Sequence, residues 1–125
     1  MQGRENKRIG EIGEEMAARF LKERGCDILG RNVRTPFGEI DLVARKDGIT
    51  IFVEVKTRSS PSLGPPYLSI TWLKKKHLVR NALWYLKRYG LSGADWRIDV
   101  ASVKLNARLG PESIELIENA VEDNE

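Results

Sequence analysis

At 125 residues, with 41% hydrophobic side chains, the chain is long enough for one domain around one core and too short to expect two. It has no apolar run of membrane-spanning length, no secretion signal behind the polar stretch Met1 to Arg8, and only one cysteine, Cys26. A membrane span, an exported disulfide scaffold and a cysteine metal cluster are therefore not expected, and the chain reads as cytoplasmic, with Cys26 as a small packing residue. The net charge of +3 hides an asymmetry: six of the 18 acidic residues follow the last basic one, Arg108, so the 21 basic residues before them meet only 12 acids, a net charge of +9 over residues 1–111. Such a body suits a phosphate-binding surface as well as plain solubility.

Ile9, Ile12, Met16, Ala17 and Phe20 fall on one side of a helix, which Gly25 stops. Residues 28–34 read as a short strand, ended by the turn residues Thr35, Pro36, Phe37 and Gly38. From Glu39 to Arg58 the pattern is β, interrupted only by Asp47-Gly48, a strong hairpin signal. Ser59 to Ser69 holds three prolines and a glycine, so it reads as an exposed loop carrying Tyr67. Trp72 to Tyr89 is a second helix with Trp72, Val79, Ala82, Leu83 and Leu86 as its apolar stripe and Gly90 to close it. Trp96 to Leu105 alternates as a strand, Ser113 to Ile117 as a short last one, and residues 119–125 are expected to fray. The order predicts a single α/β domain, a mixed sheet flanked by helices, α-β-β-β-α-β.

The hairpin carries the chemistry. With Asp47 and Gly48 as the central turn residues, Lys46 faces Ile49, and counting outward pairs Ala44 with Ile51, Leu42 with Val53 and Ile40 with Val55. That side is wholly apolar and belongs on the core. On the other side Val43 faces Phe52, Asp41 faces Glu54 and Glu39 faces Lys56. Directly opposed carboxylates destabilise a sheet unless something compensates, and a divalent cation does so well. Such an ion can activate water and neutralise charge on a phosphoryl group, with Lys56 on the same face to orient the water or stabilise the phosphate. An ordinary amphipathic strand with solvated Glu54 and Lys56 is the alternative.

The second helix is the most basic element, with Lys74, Lys75, Lys76, Arg80, Lys87 and Arg88. Together with Arg58, the residues Lys74, Lys75 and Arg80 are the candidate phosphate contacts, against the alternative of a solvated face. His77, off the apolar stripe, is not a catalytic candidate. Leu73 and Trp84 share its side, which suits a dimer contact, a stacking surface or packing within the domain.

The blocks Gly38-Glu39-Ile40-Asp41-Leu42 and Phe52-Val53-Glu54-Val55-Lys56-Thr57-Arg58 resemble the YraN-like family of the PD-(D/E)XK nuclease superfamily, alongside archaeal Holliday junction resolvases. Gly13-Glu14, Asn32, Gly64, Lys74, Ala82, Arg97 and Asp99 also resemble that family. The resemblance implies a restriction-endonuclease-like fold and phosphodiester hydrolysis with Mg²⁺ or Mn²⁺. Asp41 and Glu54 would be ligands, the Val55 carbonyl a further one, and Lys56 the partner of the attacking water. Glu14 looks like the helix-borne glutamate of resolvase-like members, and it lies at the edge of the first apolar stripe, whereas Glu11 and Glu15 point further toward water. The reading is a structure- or end-selective deoxyribonuclease acting on DNA, branched or single-stranded, with a homodimer open. The alternatives are a DNA-binding module of the same fold that does not cut and a protein–protein adaptor.

Overall fold

Helix α1 (Gln2–Glu23) begins well before Ile9 and ends at Gly25, whose φ of +89° is the left-handed stop that glycine permits. The computed structural model describes residues 2–59 and 71–121. Strands β1 (Asp27–Thr35), β2 (Gly38–Lys46) and β3 (Ile49–Ser59) follow, then helix α2 (Trp72–Arg88) and strands β4 (Trp96–Leu105) and β5 (Pro111–Val121). They form one five-stranded sheet in the order β1-β2-β3-β4-β5, antiparallel except for the parallel β3–β4 pair. A parallel pair needs a crossover, and α2 lies in it. The architecture is the expected α/β one, with a mixed sheet and two helices, and it is consistent with a restriction-endonuclease-like core. The last strand is longer than expected and takes in residues 119–121, with Val121 buried. The expected loop after Ser59, with Tyr67, and residues 122–125 lie outside the described residues.

Each face of the sheet buries against one helix. Ala17, Ala18 and Leu21 of α1 pack on Leu42, Ala44, Ile51, Val53 and Ala101, with Cys26 buried beside them. Leu78, Ala82, Tyr85 and Leu86 of α2 pack on Ile40, Val43, Phe52, Ile98 and Val121. Phe52 meets Tyr85 and Trp96 edge-on, at 5.5 and 6.1 Å between ring centres. The hairpin is therefore packed on both sides, not one, because β3 is a central strand and both its faces need cover. The α2 stripe shifts accordingly: Leu78 and Tyr85 are buried while Leu83 is 45% exposed. Among the described residues, no helix is long and apolar enough to cross a membrane.

On α1 the smallest side chains face the sheet, and Ile9, Ile12, Met16 and Phe20 flank them half-buried. Contact is closest at Gly13, where an added Cβ would fall 1.8 Å from Thr57 Oγ1 and 2.8 Å from Thr57 Cβ. Gly13→Ala should therefore push α1 off β3 and destabilise the protein by about 1–3 kcal/mol. Gly10→Ala, with nothing within 4 Å of the new methyl, should be neutral or stabilising by up to ~1 kcal/mol. Urea denaturation of the two variants checks this, and equal shifts would contradict the close approach.

Asp99, fully buried on β4, accepts from Arg97 Nε at 3.0 and 3.2 Å and from the Asn119 N–H at 2.8 Å. Burial pushes its carboxyl up, while the Asn119 N–H and Arg97 oppose the shift. The contact holds Asn119, at φ +50°, where the β4–β5 register slips between Ile98 and Val100.

Candidate active site

The Asp47-Gly48 turn adopts the left-handed backbone of the tight hairpin, with φ of +52° and +78°. It sets the counted register: Lys46↔Ile49, Ala44↔Ile51, Val43↔Phe52 and Leu42↔Val53. Backbone pairing stops there. Asp41 does not meet Glu54 as a ladder pair; its Oδ2 accepts the Val55 N–H at 2.8 Å, so a side chain takes the place of a strand carbonyl. Ile40, expected beside Leu42, instead joins Val43 and Phe52 on the α2 face. On the neighbouring strand Asn32 stands between Arg31↔Leu42 and Val33↔Ile40, and thus opposite Asp41, at φ +49°.

The two carboxyls still converge. Glu54 is buried, and the Asp41 charge bears on its carboxyl. Burial first, then the Asp41 charge, pushes Glu54 up to about 7, against the opposing pull of Lys74 and, more weakly, Lys56. Burial comes from the crevice lined by Ile40, Phe52, Val53, Leu78 and Ile98, where most groups offer Glu54 no hydrogen bond. Lys74 Nζ lies 3.5 Å from Glu54 Oε2. This lysine, a candidate phosphate contact by sequence, thus reaches the buried carboxylate from the first turn of α2. Thr71 caps that turn, its hydroxyl accepting from the Lys74 N–H at 3.2 Å.

Glu14 reaches the same region from α1. It is half-buried whereas Glu11 and Glu15 are exposed, as its place on the stripe predicts. Burial and then the Asp41 charge raise its carboxyl, and a hydrogen bond from Asn32 opposes them. With its amide nitrogen turned inward, Asn32 donates to Glu14 Oε1 at 3.2 Å and to Glu39 Oε1 at 3.1 Å. Glu39, expected opposite Lys56, pairs instead with Arg34 on β1, and its carboxyl lies against the Asn32 amide.

Sequence reasoning valued Asn32 only through resemblance and missed this bridge. An asparagine within an extended stretch is the signal available, since asparagine is among the few residues that enter the left-handed region readily. It missed Asn81 as well. That side chain, buried on α2, hydrogen-bonds Thr35 Oγ1, whose hydroxyl also accepts the Phe37 N–H at 3.0 Å. The clasp ties α2 to the β1–β2 turn and so fixes where Lys74 starts.

The remaining candidates spread outward. Lys56 and Arg58 follow Glu54 at every second position of β3, both half-buried. Lys75 and His77 are exposed, and Arg80 lies over the Phe37 ring at 6.0 Å, away from the carboxyls. Leu73 is 59% exposed, whereas Trp84 packs against the α2 core cluster.

The donor chemistry fits a hard divalent cation. Asp41 and Glu54 offer carboxylate oxygens and Val55 a carbonyl, the set that suits an ion keeping several of its own waters. Among the described residues, no group of three or more histidine, cysteine or acidic side chains is gathered closely enough to hold an ion unaided.

Relatives of known sequence match nearly the whole chain. Residues 13–103 match the family described as "Uncharacterised protein family UPF0102". A UPF0102 protein of Desulfosudis oleivorans is 46% identical over 120 residues, covering 96% of this chain and 94% of that one. A UPF0102 protein of Roseiflexus castenholzii is 45% identical over 124 residues, covering 98% and 99%. A third, from Caldicellulosiruptor saccharolyticus, is 42% identical over 116 residues, covering 92% and 98%. The matched span includes Glu14, Asn32, Asp41, Glu54, Lys56 and Lys74, and on this match the chain belongs to the UPF0102 family.

Proposed function

We propose that the chain is a metal-dependent deoxyribonuclease, an endonuclease that hydrolyses phosphodiester bonds in DNA with structure or end selectivity. The observation that carries this reading is the carboxyl pair: Asp41, held by the Val55 N–H, and the buried Glu54, close enough that the charge of one bears on the other, at the point where β2 and β3 part. Packing two acids together away from water costs stability, which a bound cation offsets.

Asp41, Glu54 and the Val55 carbonyl would hold Mg²⁺ or Mn²⁺, which supplies Lewis-acid polarisation of the phosphoryl oxygen and lowers the pKa of water. The chain's own residues do the rest. The Val55 N–H fixes Asp41 through Oδ2. Lys56, within electrostatic reach of Glu54, orients the attacking water and gives a proton to the leaving sugar oxygen, while the water's own proton passes to solvent. The water oxygen bonds to phosphorus, the phosphorus–oxygen bond to one sugar breaks, and that sugar oxygen leaves with a proton. Lys74, at the mouth of the site, balances charge on the phosphate. Arg58, Lys75 and Arg80 extend the positive surface along the backbone of the DNA.

A DNA-binding module that does not cut is the second reading. It is favoured by one observation, the Lys74–Glu54 contact, because a lysine already neutralises the buried acid without any metal. Incubating the protein with junction, flap, nicked and single-stranded DNA, each with Mg²⁺, Mn²⁺ or EDTA, separates the two. Metal-dependent cutting of at least one substrate is expected. Binding with no cutting of any substrate by a well-folded protein would leave the second reading.

Binding itself should be dominated by phosphate contacts, given the +9 body. Replacing Lys74 and Lys75 together by Ala should flatten the salt dependence of DNA affinity by about two units or less on a log–log plot. An unchanged slope would place the DNA on another face.

A further inference from the structure

Asn32 combines three features that have no common explanation in the packing of the strand. Its backbone is at φ +49°, a conformation that costs most side chains energy. It stands on the edge strand opposite Asp41. With its amide nitrogen turned inward, the orientation in which both its oxygen and its nitrogen are satisfied, it bridges two acids from different elements, Glu14 of α1 at 3.2 Å and Glu39 of β2 at 3.1 Å.

The bridge is not needed to dock α1 on β1. The adjacent pair already does that, Arg31 Nη1 lying 2.7 Å from Glu15 Oε2. What the amide does, alone among the described residues, is hydrogen-bond Glu14 and so hold it inward. Glu14 is half-buried near Asp41, where desolvation and the charges of Asp41, Glu39 and Glu11 all work against it. A half-buried carboxylate among like charges turns out to water unless a donor keeps it, and the Asn32 amide is the donor in contact with it.

We propose that Asn32 is a positioning residue for the carboxylate site. Its left-handed backbone aims the amide between Glu14 and Glu39, and the amide keeps the Glu14 charge beside Asp41, where it strengthens cation binding at the Asp41–Glu54 pair. The inference rests on the reading of that pair as a cation site. Glu14 acts here from outside the ligand set, as hydrogen-bonded outer partners of metal ligands do, and loss of such a partner typically weakens metal binding by about 10- to 100-fold.

The test uses Mn²⁺ alone, titrated into the full chain and followed by the electron paramagnetic resonance signal of the free ion, with thermal melts alongside. Asn32→Gly keeps the left-handed backbone and removes only the amide. It should melt close to wild type yet bind Mn²⁺ about tenfold more weakly. Asn32→Ala, which adds the backbone penalty, should also lower the melting temperature. In a Glu14→Gln background, Asn32→Gly should produce no further loss of affinity, because the residue acts through Glu14. An Asn32→Gly affinity within about twofold of wild type, or tighter, overturns the proposal. So does a full additional loss in the Glu14→Gln background. A wild type whose Mn²⁺ binding is absent, or indifferent to Asp41→Asn, overturns instead the cation site on which the proposal rests, and the positioning role falls with it.

Discussion

Asp41→Asn is expected to reduce metal-dependent DNA cleavage by roughly 10³-fold or more, the order lost when a group that stabilises transition-state charge is removed, while DNA binding in EDTA stays at least as tight as wild type. The fold should tolerate the change. Asparagine can keep its side-chain oxygen on the Val55 N–H, as Asp41 Oδ2 does at 2.8 Å, and turn its amide toward Glu54, replacing a repulsive contact with a donated hydrogen bond. The two effects have opposite signs because the aspartate charge helps only when a cation is present. Without metal it opposes both Glu54 and an approaching phosphate. Lys56→Ala should also stop cleavage, yet weaken binding modestly, since it deletes a positive charge near the phosphate. Gel-shift titrations in EDTA and cleavage time courses in Mg²⁺ and Mn²⁺ read the two quantities separately. An Asp41→Asn variant that cuts as fast as wild type removes the catalytic assignment.

Glu54 makes the second large prediction, and its sign follows from the direction in which its carboxyl is displaced. That carboxyl titrates at about 7 in the folded protein, raised from the ordinary value of 4.5 by burial and by Asp41. Between those two values the folded chain holds a proton that the unfolded chain has released. The stability that this proton contributes is therefore fully present below about pH 4.5 and is lost as pH rises through 7. In EDTA, wild type should lose about 1–3 kcal/mol between pH 5 and pH 8 from this group, because each tenfold difference in proton affinity between the folded and unfolded chain is worth ~1.4 kcal/mol. Glu54→Gln, which cannot ionise, should lack that part of the slope and be the more stable protein at pH 8. Glu14 and Asp99, raised in the same direction, contribute to both proteins alike, so the difference between variant and wild type isolates Glu54. Urea denaturation at pH 5, 6, 7 and 8 measures it. Parallel pH profiles for the two proteins would mean that Glu54 is not held protonated by its surroundings.

The elements and the first part of the site were legible in local pattern. Asp47-Gly48 sets the hairpin register for five consecutive pairs after the turn residues, because backbone geometry at a tight turn propagates along the ladder. The apolar spacing of both helices showed that they exist, but placed their buried faces one step off. On α1 the sheet selects Gly13, Ala17 and Ala18 for close approach, and on α2 it selects Leu78 and Tyr85 over Leu83. Spacing reports which side of a helix is apolar, whereas burial is decided by the shape of what it meets.

Farther from the turn, pattern alone misleads. Counting placed Asp41 directly opposite Glu54, and the acids do meet, but by another route: the strands part, Asp41 takes the Val55 N–H, and Ile40 turns to the other face. The residue types at the site, two acids and a lysine in Glu-x-Lys spacing, were determined by the sequence itself, along with the basic character of α2. Only the tertiary structure decided that Lys74 rests on Glu54 and that Asn32 ties Glu14 to Glu39. The physical reason is range. Turn chemistry and side-chain period act between neighbours a few residues apart, while Lys74 and Glu14 reach the hairpin from helices on opposite faces of the sheet, brought there by the burial of their apolar sides.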